Sequence, residues 1–178
     1  MTTRFPGARR TDTESMIRVD QAGEYGATRI YAGQLAVMGD RTPAARKIAA
    51  MLGQEERHRA FFDAMIARRG VRPTMLQPFW DVAGFALGAV TAAIGPEAAM
   101  ACTVAVETEI DRHYQDQLAA LGDSDPELSE AVERFRQEEV EHRDTALASG
   151  AELAPAYPVM SAMIRLGCRA AIAVAKRI

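Results

Sequence analysis

Ile48-Ala49-Ala50-Met51-Leu52-Gly53-Gln54-Glu55-Glu56-Arg57-His58-Arg59-Ala60-Phe61-Phe62-Asp63-Ala64-Met65 is the stretch whose reading decides the fold. Its apolar residues recur by threes and fours: Ile48, Met51, then Phe62 and Met65. That is the stripe of a helix that buries one face. The stripe is interrupted midway by Glu55 and His58, which fall on the same seam and point inward. A second stretch repeats the design. Leu128, Val132, Phe135 and Ala146 define a seam whose middle is Glu139 and His142. Two further seams carry one intruding carboxylate each: Ile17, Glu24, Ala27, Tyr31 and Met38, and Met100, Val104, Glu107, Tyr114 and Leu118.

Helix signals place these seams on four long helices. The first runs from about Asp12 to Gly39. Thr42 and Pro43 supply the N-cap and first-turn proline of the second, which ends at Gly70. Pro96-Glu97 opens the third, which ends near Gly122. Asp125-Pro126 opens the fourth, with Gly150 behind its end. Shorter apolar helices are expected over about Phe79–Ile94 and Val159–Lys176. No stretch alternates as a β-strand does. The expectation is an all-α, ferritin-like four-helix bundle with two additional short apolar helices. The long connection between the second and third long helices serves as its crossover. Residues 1–12 read as a flexible N-terminal arm and residues 13–178 as a single domain.

Four carboxylates on facing seams cannot be buried together without positive charge, and no Lys or Arg lies on the seams to supply it. Two divalent cations balance four carboxylates and two neutral imidazoles. One Glu from each of two helices, plus Glu-x-x-His from each of the other two, is the ligand set of di-iron and di-manganese bundles. Mixed carboxylate and imidazole donors suit iron or manganese better than zinc. The metal ligands expected are Glu24, Glu55, His58, Glu107, Glu139 and His142. Glu24 to Glu55 spans 31 residues and Glu107 to Glu139 spans 32, so two similar helical pairs would meet about a pseudo-twofold axis. Glu56, Glu109, Glu138 and Glu141 lie off the seams, as solvated acids or partners of the ligands. His113 is a surface histidine or such a partner.

The net charge of −3 argues against a nucleic-acid partner. Cys102 and Cys168 are too few and too far apart for a disulfide framework and read as buried or lipid-facing thiols in a reducing compartment. The N-terminus lacks the apolar run of a signal peptide, and no segment reads as long enough to span a membrane. The last helix sets Met160, Met163, Ile164, Ala171 and Val174 apart from Arg165, Arg169 and Lys176, the layout of a helix lying on an anionic membrane surface. Its alternatives are a cap on the core or an oligomer contact.

Ile17-Arg18-Val19-Asp20-Gln21-Ala22-Gly23-Glu24-Tyr25-Gly26-Ala27, Gly84-Phe85-Ala86-Leu87-Gly88-Ala89, Ala99-Met100-Ala101-Cys102-Thr103-Val104-Ala105-Val106-Glu107 and Ala151-Glu152-Leu153-Ala154-Pro155-Ala156-Tyr157 resemble the demethoxyubiquinone hydroxylase family. The resemblance covers roughly residues 15–178. It implies a non-haem di-iron monooxygenase that hydroxylates a polyprenyl methoxy-methyl-benzoquinol ring in ubiquinone biosynthesis, with O₂ as co-substrate and an external reductant. It implies the same six ligands and no further catalytic residue. It also implies peripheral attachment to the inner membrane, on the cytoplasmic side in a bacterium or the matrix side in a mitochondrion. Tyr114 and Arg169 match family positions linked to electron delivery. A lipid-carrier protein, other ubiquinone-biosynthesis proteins and a second copy of the chain are further expected partners. The competing readings are a ferritin-like iron-binding or iron-oxidising protein and a di-iron hydroxylase of another substrate, such as a tRNA base.

Overall fold

In the computed structural model the backbone is described for residues 6–177 and the side chains for residues 13–177. Helix boundaries follow the capping chemistry. The Thr42 side chain accepts the amide hydrogen of Ala45, and Pro43 opens α2 (Pro43–Arg69). Gly70 closes it with φ +65°, a left-handed turn that lets its amide reach the Ile66 carbonyl. Asp125 caps α5 (Pro126–Ala148) through the Leu128 amide. The other helices are α1 (Pro6–Met38), α3 (Gln77–Ile94), α4 (Pro96–Leu121) and α6 (Tyr157–Ala175). Two single 3₁₀ turns follow α4 and α5, and no strand occurs among the described residues. Of the expected flexible arm over residues 1–12, residues 1–5 and the side chains of residues 6–12 lie outside what is described. The backbone is already helical from Pro6, earlier than the expected start near Asp12.

Helices α1, α2, α4 and α5 form the bundle. Short connections join α1 to α2 and α4 to α5, and α3 carries the crossover between the two pairs, resting on α1 and α4. The seams enter the core as two apolar layers. One is built on Tyr31, Ile48, Met51, Met100, Val104 and Ala146; the other on Ile17, Phe62, Met65, Leu128, Val132 and Phe135. On every bundle helix the intruding Glu or Glu-His pair lies between its contributions to these layers. The polar residues therefore form one stratum, sealed above and below.

The crossover helix is locked to α1 by glycines. A Cβ on Gly88 would lie 1.9 Å from the Ile30 carbonyl oxygen, and one on Gly33 would lie 2.1 Å from that of Phe85. Only bare backbones approach this closely. The outer face of α3 is left apolar and exposed at Phe79, Val82, Val90 and Ile94.

Helix α6 lies along α4. Ile164 is buried against Cys102, Ala105 and Val106, while Val159, Met163 and Leu166 face outward. Contrary to the expectation that no segment has the length of a span, α6 passes by length and composition. It is the one such helix among the described residues. Its 19 residues carry only Arg165 and Arg169 as charges, and both reach back to Glu109 of α4, at 2.6 and 3.0 Å. Glu109 is thus neither a solvated acid nor a ligand's partner but the buried anchor of α6 on the bundle.

Gly88→Ala should cost about 1–3 kcal/mol of unfolding free energy in urea, because neither backbone can yield to the new methyl. Gly53→Ala, where a Cβ meets nothing within 4 Å, should leave stability unchanged or raise it by about 0.5–1 kcal/mol.

Candidate metal centre

All six side chains singled out on the seams meet in the polar stratum, each at most 3% exposed. They form two overlapping groups of potential donors. Glu24, Glu55, His58 and Glu139 make one, and Glu55, Glu107, Glu139 and His142 the other, with donor atoms within 4.8 Å of one another in each. Glu55 and Glu139 are common to both. The arrangement is twofold: a carboxylate from α1 and an imidazole from α2 on one side, a carboxylate from α4 and an imidazole from α5 on the other, and a shared pair between.

Both imidazoles turn Nδ1 to the centre. His58 Nδ1 lies 3.1 Å from Glu139 and 3.4 Å from Glu24. His142 Nδ1 lies 3.0 Å from Glu139 and 3.1 Å from Glu55. Oxygens of Glu24, Glu55, Glu107 and Glu139, and His58 Nδ1, are buried there without a hydrogen-bond partner. So many unsatisfied acceptors in one place is what a cation would satisfy. The donor set, oxygen-rich with one imidazole per group, fits two ions of the iron or manganese type.

Without a cation the cluster must hold protons instead. Burial, then the charges of Glu139 and other neighbouring carboxylates, push Glu55 and Glu107 well above the usual carboxylate range. Burial works against a charged His58, but the carboxylates of Glu139 and Glu24 beside it prevail and raise it to about 10. Burial likewise opposes ionisation of Glu139, yet the imidazoles of His142 and His58 beside it keep it low.

The surroundings repeat the twofold. Tyr31 of α1 donates its hydroxyl to Glu107 of α4 at 2.6 Å, and Tyr114 of α4 donates a short bond to Glu24 of α1. Each tyrosine follows the carboxylate of its own helix by seven residues, a spacing the sequence displays but which names no partner. Among the off-seam residues, Glu138 accepts from His58 Nε2 at 3.1 Å, while Glu56 and Glu141 are exposed. His113 is bonded to the buried Asp20, which Gln117 also reaches. Arg169 joins Glu109 rather than the centre. Burial raises both thiols, Cys102 and Cys168, to about 12, which leaves them unreactive.

On the α1 and α4 side, an apolar groove of about 600 Å³ runs between α1, α3, α4 and α6. Gly23 and Val106, the chain neighbours of Glu24 and Glu107, line it together with Ala27; Ala83, Ile164 and Ala171 form its far walls. Both histidines come from the opposite pair, α2 and α5.

The sequence profile of the family described as ubiquinone biosynthesis protein COQ7 matches residues 11–175. The chain is 53% identical over 165 residues to the 3-demethoxyubiquinol 3-hydroxylase of Rhodospirillum rubrum, covering 93% of this chain and 78% of that protein. It is 50% identical over 173 residues to the human NADPH-dependent 3-demethoxyubiquinone 3-hydroxylase, mitochondrial, covering 95% and 79%. With the 5-demethoxyubiquinone hydroxylase, mitochondrial, of Saccharomyces cerevisiae it shares 42% over 181 residues, covering 93% and 78%. A profile match over nearly the whole chain, joined by relatives at this identity, assigns the chain to the COQ7 family of ubiquinone biosynthesis proteins.

Proposed function

We propose that the chain is a 3-demethoxyubiquinol 3-hydroxylase, a monooxygenase of ubiquinone biosynthesis. In this reading Glu24, Glu55, His58, Glu107, Glu139 and His142 hold two iron ions. The observation that carries it is an apolar groove lined by Gly23 and Val106, the residues immediately before Glu24 and Glu107 of the buried Glu-His stratum. Iron handling alone needs no such groove. The relatives named for this hydroxylation, in a bacterium and in mitochondria, support the same reaction. Bound iron would supply the activation of O₂, with electrons from an external reductant.

The chain's own residues do the rest. The groove takes the isoprenoid tail and brings the quinol ring to the Glu24–Glu107 side, away from the histidines. Tyr31 and Tyr114 hold Glu107 and Glu24 through their hydroxyls, which keeps both carboxylates in place as the ring enters. The apolar layers exclude water from the reacting atoms. The exposed apolar faces of α3 and α6 rest on the membrane that stores the substrate, so attachment is peripheral and the tail passes directly from bilayer to groove.

Glu139→Gln should abolish hydroxylation and remove most of the iron from the purified protein, because Glu139 belongs to both donor groups. Glu24→Gln should remove about half, since it touches one group; metal analysis and quinol turnover check both. Gly26 lines the groove, and a Cβ there meets nothing within 4 Å. Gly26→Phe should therefore fold and keep its iron, yet raise KM about 10-fold for a long-tailed quinol and little for a tail-free analogue. Because Glu55 and Glu107 hold protons without metal, iron loading should acidify a weakly buffered solution. Iron affinity should fall as pH is lowered from about 8 to about 6, since protons then compete for the ligands.

A further inference from the structure

Outside the stratum, between α2 and α5, one chain of hydrogen bonds ties the two histidines together. His58 Nε2 meets Glu138 Oε2 at 3.1 Å, Gln54 Nε2 donates to the same oxygen at 3.2 Å, and Gln54 Oε1 faces His142 Nε2 at 3.0 Å. A carboxylate only accepts. Glu138 therefore fixes His58 Nε2 as a donor. It also requires the amide nitrogen of Gln54 to face it, which leaves the amide oxygen for His142 and makes His142 Nε2 a donor too. One carboxylate thus leaves the lone pair of each imidazole on Nδ1, the atom turned to the centre.

Gln54 and Glu138 stand in equivalent places, each immediately before a shared glutamate. Here the twofold breaks. His58 has a charged acceptor and His142 a neutral one. A carboxylate behind an imidazole raises its basicity as a ligand, and altering such a partner changes metal affinity by about 10–100-fold. We infer that Glu138 and Gln54 are positioning residues that make the two ion sites unequal, the site of Glu24 and His58 binding its ion more tightly than the site of Glu107 and His142. The inference rests on the six side chains being ligands to two iron ions.

The test is competition for Fe(II) between the full chain and a coloured chelator under argon. The native protein should yield two ions with distinct affinities. Glu138→Gln, a nearly isosteric change at a partly exposed position, should weaken the tighter site about 10-fold and bring the two together. Gln54→Met, which removes the acceptor of His142 and the amide's bond to Glu138 but leaves Glu138 to accept from His58, should instead widen the gap. The double exchange Gln54→Glu with Glu138→Gln should restore two unequal sites, which a merely structural loss would not. Two ions of equal affinity in the native protein overturn the inference alone, as does a Glu138→Gln protein with the native ratio. A chain that takes up no iron overturns the metal reading and this inference with it.

Discussion

Everything in this molecule accommodates one electrostatic constraint: four carboxylates and two imidazoles enclosed between two apolar layers. Such a layer is prohibitive as bare charge. It is bearable as a set of protons held on Glu55, Glu107 and His58, and far better balanced by two divalent ions. The four bundle helices are long enough to seal the layer on both sides. The short loops within each helical pair set their glutamates and histidine at one depth. The tyrosines add directional support where an ion's attraction is nearly isotropic.

Much of this was legible in the sequence because helical periodicity converts position into direction. Glu55 and His58 lie on a seam otherwise made of Ile48, Met51, Phe62 and Met65, and nothing but burial follows from that. Capping residues such as Thr42, Gly70 and Asp125 placed the boundaries for the same local reason. What periodicity does not encode is which helix a residue faces across space. Tyr31 could be assigned to the core but not to Glu107, and Glu138 to the rim but not to His58. Glu109 read as a solvated acid or a partner of the ligands because its actual partners, Arg165 and Arg169, lie on another helix more than fifty residues away. Those same arginines read as contacts to anionic lipid, and α6 therefore read as a less self-contained apolar helix than it is.

The two flanks of the stratum have different work. Toward α3 and α6 the walls are small and apolar, with Gly23, Gly26 and Ala27 lining the groove. Toward the α2–α5 flank they are polar, and hydrogen bonds orient the histidines. The apolar space and the histidines' hydrogen-bonded support thus do not occupy the same volume.

The crossed tyrosines have a consequence for how the chain reaches its native state. The α1–α2 pair contains Glu24, Glu55 and His58, but the hydroxyl that satisfies Glu24 is on α4; the α4–α5 pair contains Glu107, and its hydroxyl is on α1. Neither pair satisfies its own buried acid. A half-assembled bundle would carry an unpaired carboxylate in each unit, so partial structures gain little and docking of the halves gains a great deal. Reciprocal support of this kind turns two similar hairpins into one cooperative folding unit.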